Sequence, residues 1–381
     1  MKYVFKKKRN ILIASAVDAI FGIFFKPKPH FDSHLKPKKI LVVRLDHLGD
    51  ILPATAFPQI LKENFPGAEV HFLTNRMGEE LLKNNPYVDK VWVGPSWFQR
   101  TLTSDTEVNR IHPLVRRLRE EAFDLGLAPR GDARENYLLW RAKIRNRVGY
   151  GITGGSFFLT HSVPYVFGAH ESQHGIDLLK YIGVQNPHSS PKIYWTEAEE
   201  LECRAALQKK GYIGNGWIGL QVDAGTPAKE WPLENYQLFL EMAAEKVSSE
   251  KIVFLGTSAR RAHWLDGVIE AKGKKKQWLN LVGKTNLREL FYLLKTLKIY
   301  AGLDSGPSHV AASYGIPSLF LYSGTNVFDQ WKPLAENAYT LTHPVPCSPC
   351  RQTKCPIQGH PCLSQITPAQ VMSWVLERSY G

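Results

Sequence analysis

Short apolar runs that stop at a small polar turn and give way to a helical pattern constrain this chain more than any other feature. "KKILVVRLDHLGDILPATAFPQILKENFP" begins with Ile40–Val43, four apolar residues without polar alternation. Such a run suits a strand covered on both faces, as in a parallel sheet. Apolar residues then recur at Ile51, Leu52, Phe57, Ile60 and Leu61, the spacing of one side of a helix. Strand-like runs follow in "AEVHFLTN", "YVDKVWVG", "FDLGLAP", "NRVGYG" and "FLTHSVPY", with a basic helical stretch around residues 105–122 among them. Residues 184–212 are irregular at first and then helical, and read as a link. The alternation restarts with "GWIGLQVDAG" and continues through "KIVFLGTS", "WLNLVG", "LRELFYLLKTL", "IYAGLDSG" and "PSLFLYSG", and an amphipathic helix closes the chain. Strands alternating with helices predict an α/β protein built of βαβ units, and two rounds of them predict two sheets. A length of 381 residues agrees with two domains. Open sheets of this kind take ligands outside the carboxyl ends of their strands, so a cleft between the two sets of strand ends is expected.

Charge separates the classes of partner. Residues 1–39 carry ten Lys/Arg against Asp18 and Asp32, so +8 of the net +13 sits in an N-terminal arm. A basic body would favour nucleic acid. A basic arm beside apolar residues favours an anionic membrane surface instead. The apolar stretch Ile11–Phe25 contains Asp18 and is shorter than the roughly 20 residues a spanning helix needs. No small-residue cleavage site follows it, which argues against a signal peptide. The expectation is an interfacial helix with Lys6, Lys7, Lys8, Arg9, Lys26 and Lys28 facing headgroups; the alternative is a helix packed on the body.

Three strand-end turns carry the polar residues of interest. In "VVRLDHLGDILPA", Asp46, His47 and Asp50 follow a buried strand. A carboxylate there can serve as a general base toward a substrate hydroxyl, or Asp50 can simply cap the next helix. In "LQVDAGTPAKEW", Gly225 and Thr226 let backbone approach a phosphate and Lys229 can neutralise one, or Lys229 is merely solvated. In "AGLDSGPSHVAASYGIP", Asp304, Ser305 and Gly306 precede a helix with Pro307 at its start and Gly315 at its end. The N–H groups and dipole of that helix start suit an anion. "FLGTSARRAHW" offers a further turn at Gly256 and Thr257 that by position lines a base or ribose pocket. Cys347, Cys350, Cys355 and Cys362, spaced C-x2-C-x4-C-x6-C with His360 nearby, suit either a structural zinc or free and redox-labile thiols. No P-loop, H-E-x-x-H or G-x-S-x-G motif occurs, and no Asp-x-Asp stands in an apolar setting.

Four segments in order resemble the ADP-heptose:lipopolysaccharide heptosyltransferase family, inverting glycosyltransferases of GT-B fold. They are "KKILVVRLDHLGDILPATAFPQILKENFPGAEVHFLT", "DAGTPAKEWPLENY", "LVGKTNLRELFYLLKTLKIYAGLDSGPSHVAASYGIPSLFLYSGT" and "CSPCRQTKCPIQGHPCLSQITPAQV". The resemblance spans roughly residues 38–378. It implies two Rossmann-like domains facing each other across a cleft. Their expected bounds are a basic arm at 1–37, an acceptor domain at 38–185 and a linker at 186–212. A donor domain at 213–365 and a C-terminal helix at 366–381 complete them. It implies that Asp50 deprotonates the acceptor hydroxyl, that Lys229 meets the donor phosphates, and that Asp304, Ser305, Gly306 and His309 form the donor turn. The expected reaction moves heptose from a nucleoside-diphosphate sugar, ADP-heptose, to a lipopolysaccharide core or related glycolipid, with inversion and without a metal cofactor. Arg130 and Asp132, in a stretch that fits the family loosely, are expected to reach an acidic acceptor. The arm would then hold a cytoplasmic enzyme on the inner membrane face, with no nucleic-acid partner. A nucleotide-sugar epimerase or a non-catalytic glycan-binding protein on the same fold are the alternatives.

Overall fold

The computed structural model describes residue 3 and residues 8–24, 31, 32, 34–95, 111–187 and 190–380. The chain divides into two compact units, Met1–Trp195 and Thr196–Gly381. Each contains a six-stranded sheet in which every pairing is parallel.

In the first unit the strands are β1 (Lys39–Val43), β2 (Glu69–Thr74), β3 (Lys90–Val93), β4 (Leu125–Ala128), β5 (Asn146–Gly149) and β6 (His161–Ser162). In the second they are β7 (Trp217–Gln221), β8 (Lys251–Leu255), β9 (Trp278–Asn280), β10 (Ile299–Leu303), β11 (Ser318–Tyr322) and β12 (Ala338–Thr342). The orders are β3-β2-β1-β4-β5-β6 and β12-β11-β10-β7-β8-β9. Both sheets therefore follow one plan. The first strand is central, the chain winds to one edge, and it then returns to the other side of that strand. The reversal falls between β1 and β4 in one unit and between β7 and β10 in the other. These are the switch points at which such sheets bind ligands.

The apolar runs behave as their composition requires. Ile40–Val43 and all of β7, β10 and β11 are buried, because helices cover both sheet faces. Ile218, Leu220, Phe254, Leu303 and Leu319 pack with Trp231, Phe239 and Val371 in the second core. Residues 184–212 are not simply a link. Thr196 caps a helix, Glu197–Lys209, whose first turn holds three glutamates, a favourable charge at that end. Glu199 of this helix forms a buried bidentate pair with Arg288, at 2.6 and 3.0 Å, which fixes the helix within the second unit.

The N-terminal helix, Lys8–Gly22, packs on the first unit, the alternative given for it. Its inner side is attached to the first unit: buried Asp18 accepts hydrogen bonds from Tyr3 Oη at 2.9 Å and from the Gly155 N–H at 2.8 Å. Its outer side leaves large apolar side chains exposed. Lys6, Lys7, Lys26, Lys28 and the side chain of Lys8 lie outside the described residues. Among the described residues, no helix is long and apolar enough to cross a membrane.

Candidate active site

The chain leaves β1 through Arg44, Leu45 and Asp46 and enters the short helix Leu48–Ile51. Asp46 is fully buried and joins two ion pairs. Its Oδ2 lies 2.8 Å from Arg44 Nε, and its Oδ1 meets Arg130 Nη1, from the turn after β4. The Asp46 carbonyl accepts from Asn75 Nδ2 at 2.6 Å. Glu135, on the helix Ala133–Arg141, is also fully buried and accepts the Leu45 N–H at 3.0 Å. Its Oε2 is buried without a hydrogen-bond partner. Burial pushes the Glu135 carboxyl up to about 7, against the opposing pull of Arg130 and Arg44. Two arginines and two carboxyl groups therefore fix the backbone of residues 44–46, just ahead of Asp50.

Asp50 lies in the first turn of Leu48–Ile51, with its Oδ2 3.6 Å from Nδ1 of the exposed His47. His47 occupies the N-cap position and makes no side-chain cap bond, so Asp50 is not the cap. The Asp50 N–H donates to the His47 carbonyl at 3.0 Å. Asp50 is thus a carboxylate at a switch point, 12% exposed, of a kind that can serve as a general base. Arg130 and Asp132 have other partners here. Arg130 turns to Asp46, whereas Asp132 caps Ala133–Arg141 by accepting the Arg134 N–H at 2.9 Å and pairs with the Arg134 guanidinium at 2.8 Å. As observed, both shape the unit.

In the second unit, Lys229 and Asp304 come together from the turns after β7 and β10. Lys229 Nζ is 2.6 Å from Asp304 Oδ2 and donates to the Asp304 carbonyl at 3.3 Å. Asn326, after β11, donates to the same Oδ2 at 3.2 Å. Ser305 is the N-cap of the helix Gly306–Ser313 but makes no side-chain cap bond. Its hydroxyl donates instead to Gln221 Oε1 at 2.8 Å, beside a second donor, Tyr300 Oη, at 2.7 Å. Buried Ser308 donates to the Leu303 carbonyl at 2.6 Å. The turn is thus shaped from beneath by Gln221, Tyr300 and Ser308, while the first helical turn has no side-chain cap. Such a helix start, beside an ammonium group, suits an anionic ligand. His309, in the same helix, stacks edge-on against Phe320 with ring centroids 5.1 Å apart.

The remaining predicted donor residues fall in the same unit. Gly225 is exposed, and Thr226 precedes the short 3-10 turn Pro227–Lys229. Gly256 and Thr257 follow β8, where Asp223 holds them. Asp223 Oδ2 accepts the Thr257 and Ser258 N–H groups at 2.7 and 2.6 Å. A Cβ on Gly256 would lie 2.6 Å from that carboxylate, so glycine is required there by close approach. Burial raises the Asp223 carboxyl, partly offset by those two N–H groups. Gln221, Asp223 and Asn326 were not singled out from sequence. Their only signal was position, at or just past strand ends.

Cys347, Cys350, Cys355 and Cys362 are free thiols that line one pocket of about 350 Å³ with His360. Among the described residues, no three His, Cys, Asp or Glu side chains are placed to hold one metal ion. The zinc reading of this segment is therefore not met by its arrangement. The segment instead braces the turns after β7 and β11 through backbone contacts: Ala228 N–H to Thr353, Cys350 N–H to Gly324 and Arg351 N–H to Thr325.

Comparison with known proteins converges on one family. The model of glycosyltransferase family 9 (heptosyltransferase) matches residues 111–360. The chain is 25% identical over 298 residues to lipopolysaccharide heptosyltransferase 3 of Escherichia coli K12, covering 76% of this chain and 83% of that protein. It is 24% identical over 295 residues to a lipopolysaccharide core heptosyltransferase of Haemophilus influenzae, covering 76% and 80%. Among solved structures, E. coli ADP-heptose LPS heptosyltransferase II aligns with a TM-score of 0.70 at 21% identity, covering 90% of this chain and 98% of that one. A family 9 glycosyltransferase of Veillonella parvula aligns at 0.74 and 21%, covering 90% and 97%. These likenesses establish a GT-B fold of two Rossmann-like units.

Proposed function

Since the chain belongs to glycosyltransferase family 9, the heptosyltransferases, we propose that it moves heptose from ADP-heptose to a lipopolysaccharide core or related glycolipid, with inversion and without a divalent cation. The observation that carries this reading is the Lys229–Asp304–Asn326 group beside the uncapped start of Gly306–Ser313. In the reaction, the acceptor hydroxyl oxygen attacks the anomeric carbon. Asp50 takes its proton, and the bond from that carbon to the diphosphate oxygen breaks with its electron pair on the phosphate. Attack opposite the leaving group inverts the centre. The negative charge that develops on the diphosphate is stabilised by the Lys229 ammonium and the N–H groups of the helix start. Asp304, held by Lys229 and Asn326, is the candidate contact to the sugar. The buried Arg44–Asp46–Arg130–Glu135 set keeps the Asp50 loop in register.

The arm bears on where the acceptor is met. Its basic residues and the exposed apolar side of Lys8–Gly22 support docking on an anionic membrane, where a lipid-linked acceptor resides. On this reading the enzyme works on the inner face of the cytoplasmic membrane. A thermal-shift comparison of ADP, UDP and GDP tests the donor. A nucleotide at 100 times its dissociation constant stabilises by about 2.7 kcal/mol, so ADP alone is expected to raise the melting temperature. A shift with UDP or GDP and none with ADP would reject the donor assignment.

A further inference from the structure

The exposed apolar side of Lys8–Gly22 does not end at the arm. We propose that it continues across an aromatic ladder to Trp140, and that helix and ladder together form one docking surface for an anionic phospholipid bilayer. This rests on the membrane reading above and extends it to the folded first unit.

The helix is fixed in orientation by its inner side. Asp18 holds Tyr3 and the Gly155 N–H, and Ala14 lies against Gly154 closely enough that a Cβ there would meet Ala14 Cβ at 3.2 Å. Its opposite side cannot turn inward while these contacts persist. The side away from them, with the residues just after the helix, presents Leu12, Ile13, Ile20, Ile23 and Phe24, between 56% and 76% exposed, and Phe21, 45% exposed, lies at the junction with the body. Phe21 then stacks on Phe157 with centroids 5.0 Å apart. Phe157 meets Phe158 at 4.3 Å, and Phe158 meets Trp140 at 5.4 Å and Tyr137 at 5.3 Å. The ladder thus runs from the arm to the last turn of Ala133–Arg141, where Trp140 remains 40% exposed.

This connection is braced. Arg147 donates to the Phe158 carbonyl and to the Ile144 carbonyl, both at 2.6 Å. Exposed Lys143 and Arg145 lie just beyond Trp140, and exposed Arg9 lies at the start of the N-terminal helix. Cations therefore flank both ends of an apolar and aromatic surface. That is the composition of a protein face lying in the headgroup layer, with rings in the acyl boundary and charges at the phosphates. Arg9, Lys143 and Arg145 give the same surface a preference for anionic lipid.

The test is flotation of the full chain with vesicles of phosphatidylcholine alone and with phosphatidylglycerol added, at low and high salt. The expected result is binding to the anionic vesicles, weakened by salt. Ile13→Glu with Ile20→Glu, Trp140→Glu, and Lys143→Glu with Arg145→Glu should each lower partitioning roughly tenfold or more. Lys143 and Arg145 are exposed, so the charge-reversal pair remains informative if Trp140→Glu disturbs folding, which circular dichroism would report. If the helix variant loses binding while both other variants bind like wild type, the ladder plays no part and this inference fails, although the membrane reading stands. If the wild type binds no vesicle, both fail. Light scattering that finds a dimer dissociated by Ile13→Glu with Ile20→Glu, with no vesicle binding, would reassign the surface to pairing between copies.

Discussion

Replacing Lys229 by Met keeps the side-chain stem and removes the ammonium that joins the turns after β7 and β10. The pair is close, at 2.6 Å, and unevenly buried: the Asp304 side chain is 6% exposed and that of Lys229 is 24%. Removing one partner of a fully buried pair costs about 3–5 kcal/mol, whereas exposed pairs are worth about 0.2–1 kcal/mol. Asn326 still donates to Asp304 after the change, so the carboxylate keeps one partner. A loss of about 2 kcal/mol is the consequence, between those limits. Asp304→Asn should cost less, about 1 kcal/mol, because the stranded ammonium reaches water and the stranded carboxylate does not. The double variant should be less destabilised than the two losses added together. Urea unfolding of the four proteins measures this, and the ADP-induced thermal shift measures the binding side. A charge-assisted contact to the diphosphate is worth about 1.5–3 kcal/mol, so Lys229→Met should weaken ADP by roughly 10- to 150-fold. Stability within about 0.5 kcal/mol of wild type, together with an unchanged ADP shift, would refute the reasoning.

Three more outcomes are expected. Asp50→Asn should lower transfer by about 10²–10⁴-fold and leave the ADP shift intact, measured by product formation and melting in parallel. Gln221→Leu removes the acceptor for buried Tyr300 Oη and for part-buried Ser305 Oγ; the orphaned Tyr300 donor costs about 1–3 kcal/mol, so a melting-temperature drop with weaker donor binding is expected. Glu135 titrates at about 7 in the folded unit against an ordinary 4.5. Between those values the folded state holds the proton and the unfolded state does not, so stability falls as pH rises through that window. Glu135→Gln should flatten this slope in urea titrations from acid to neutral pH.

The frame was legible because its signal is local. Unbroken runs such as Ile40–Val43 and Ile299–Leu303 can only be covered strands, and the turns after them mark sheet edges. Asp50, Lys229 and Asp304 stood out through their place at strand-end turns and through the family resemblance, because a cap or a solvated ammonium reads the same in sequence. What escaped depends on tertiary contact. Gln221 is a hub only because β7 and β10 are neighbours, which sets Tyr300 and Ser305 around it. Asp223 acts on Gly256 and Thr257 across an adjacent strand. Arg130 reads as a contact to an acidic acceptor until the β1–β4 pairing brings Asp46 beside it. β12 was passed over because its residues are only partly buried at a sheet edge, without the apolar run of a central strand. Asp18 looked like a flaw in an apolar stretch, whereas its carboxylate is what fastens that helix to the first unit.

Transfer assayed with ADP-heptose and a lipopolysaccharide-core acceptor in excess EDTA, with the anomeric configuration of donor and product read by NMR, bears most directly on the central claim. That claim is leaving-group stabilisation by Lys229 and a helix start alone. The predicted result is undiminished turnover with an inverted product. Turnover abolished by the chelator and restored by Mg²⁺, or a product of retained configuration, would contradict it.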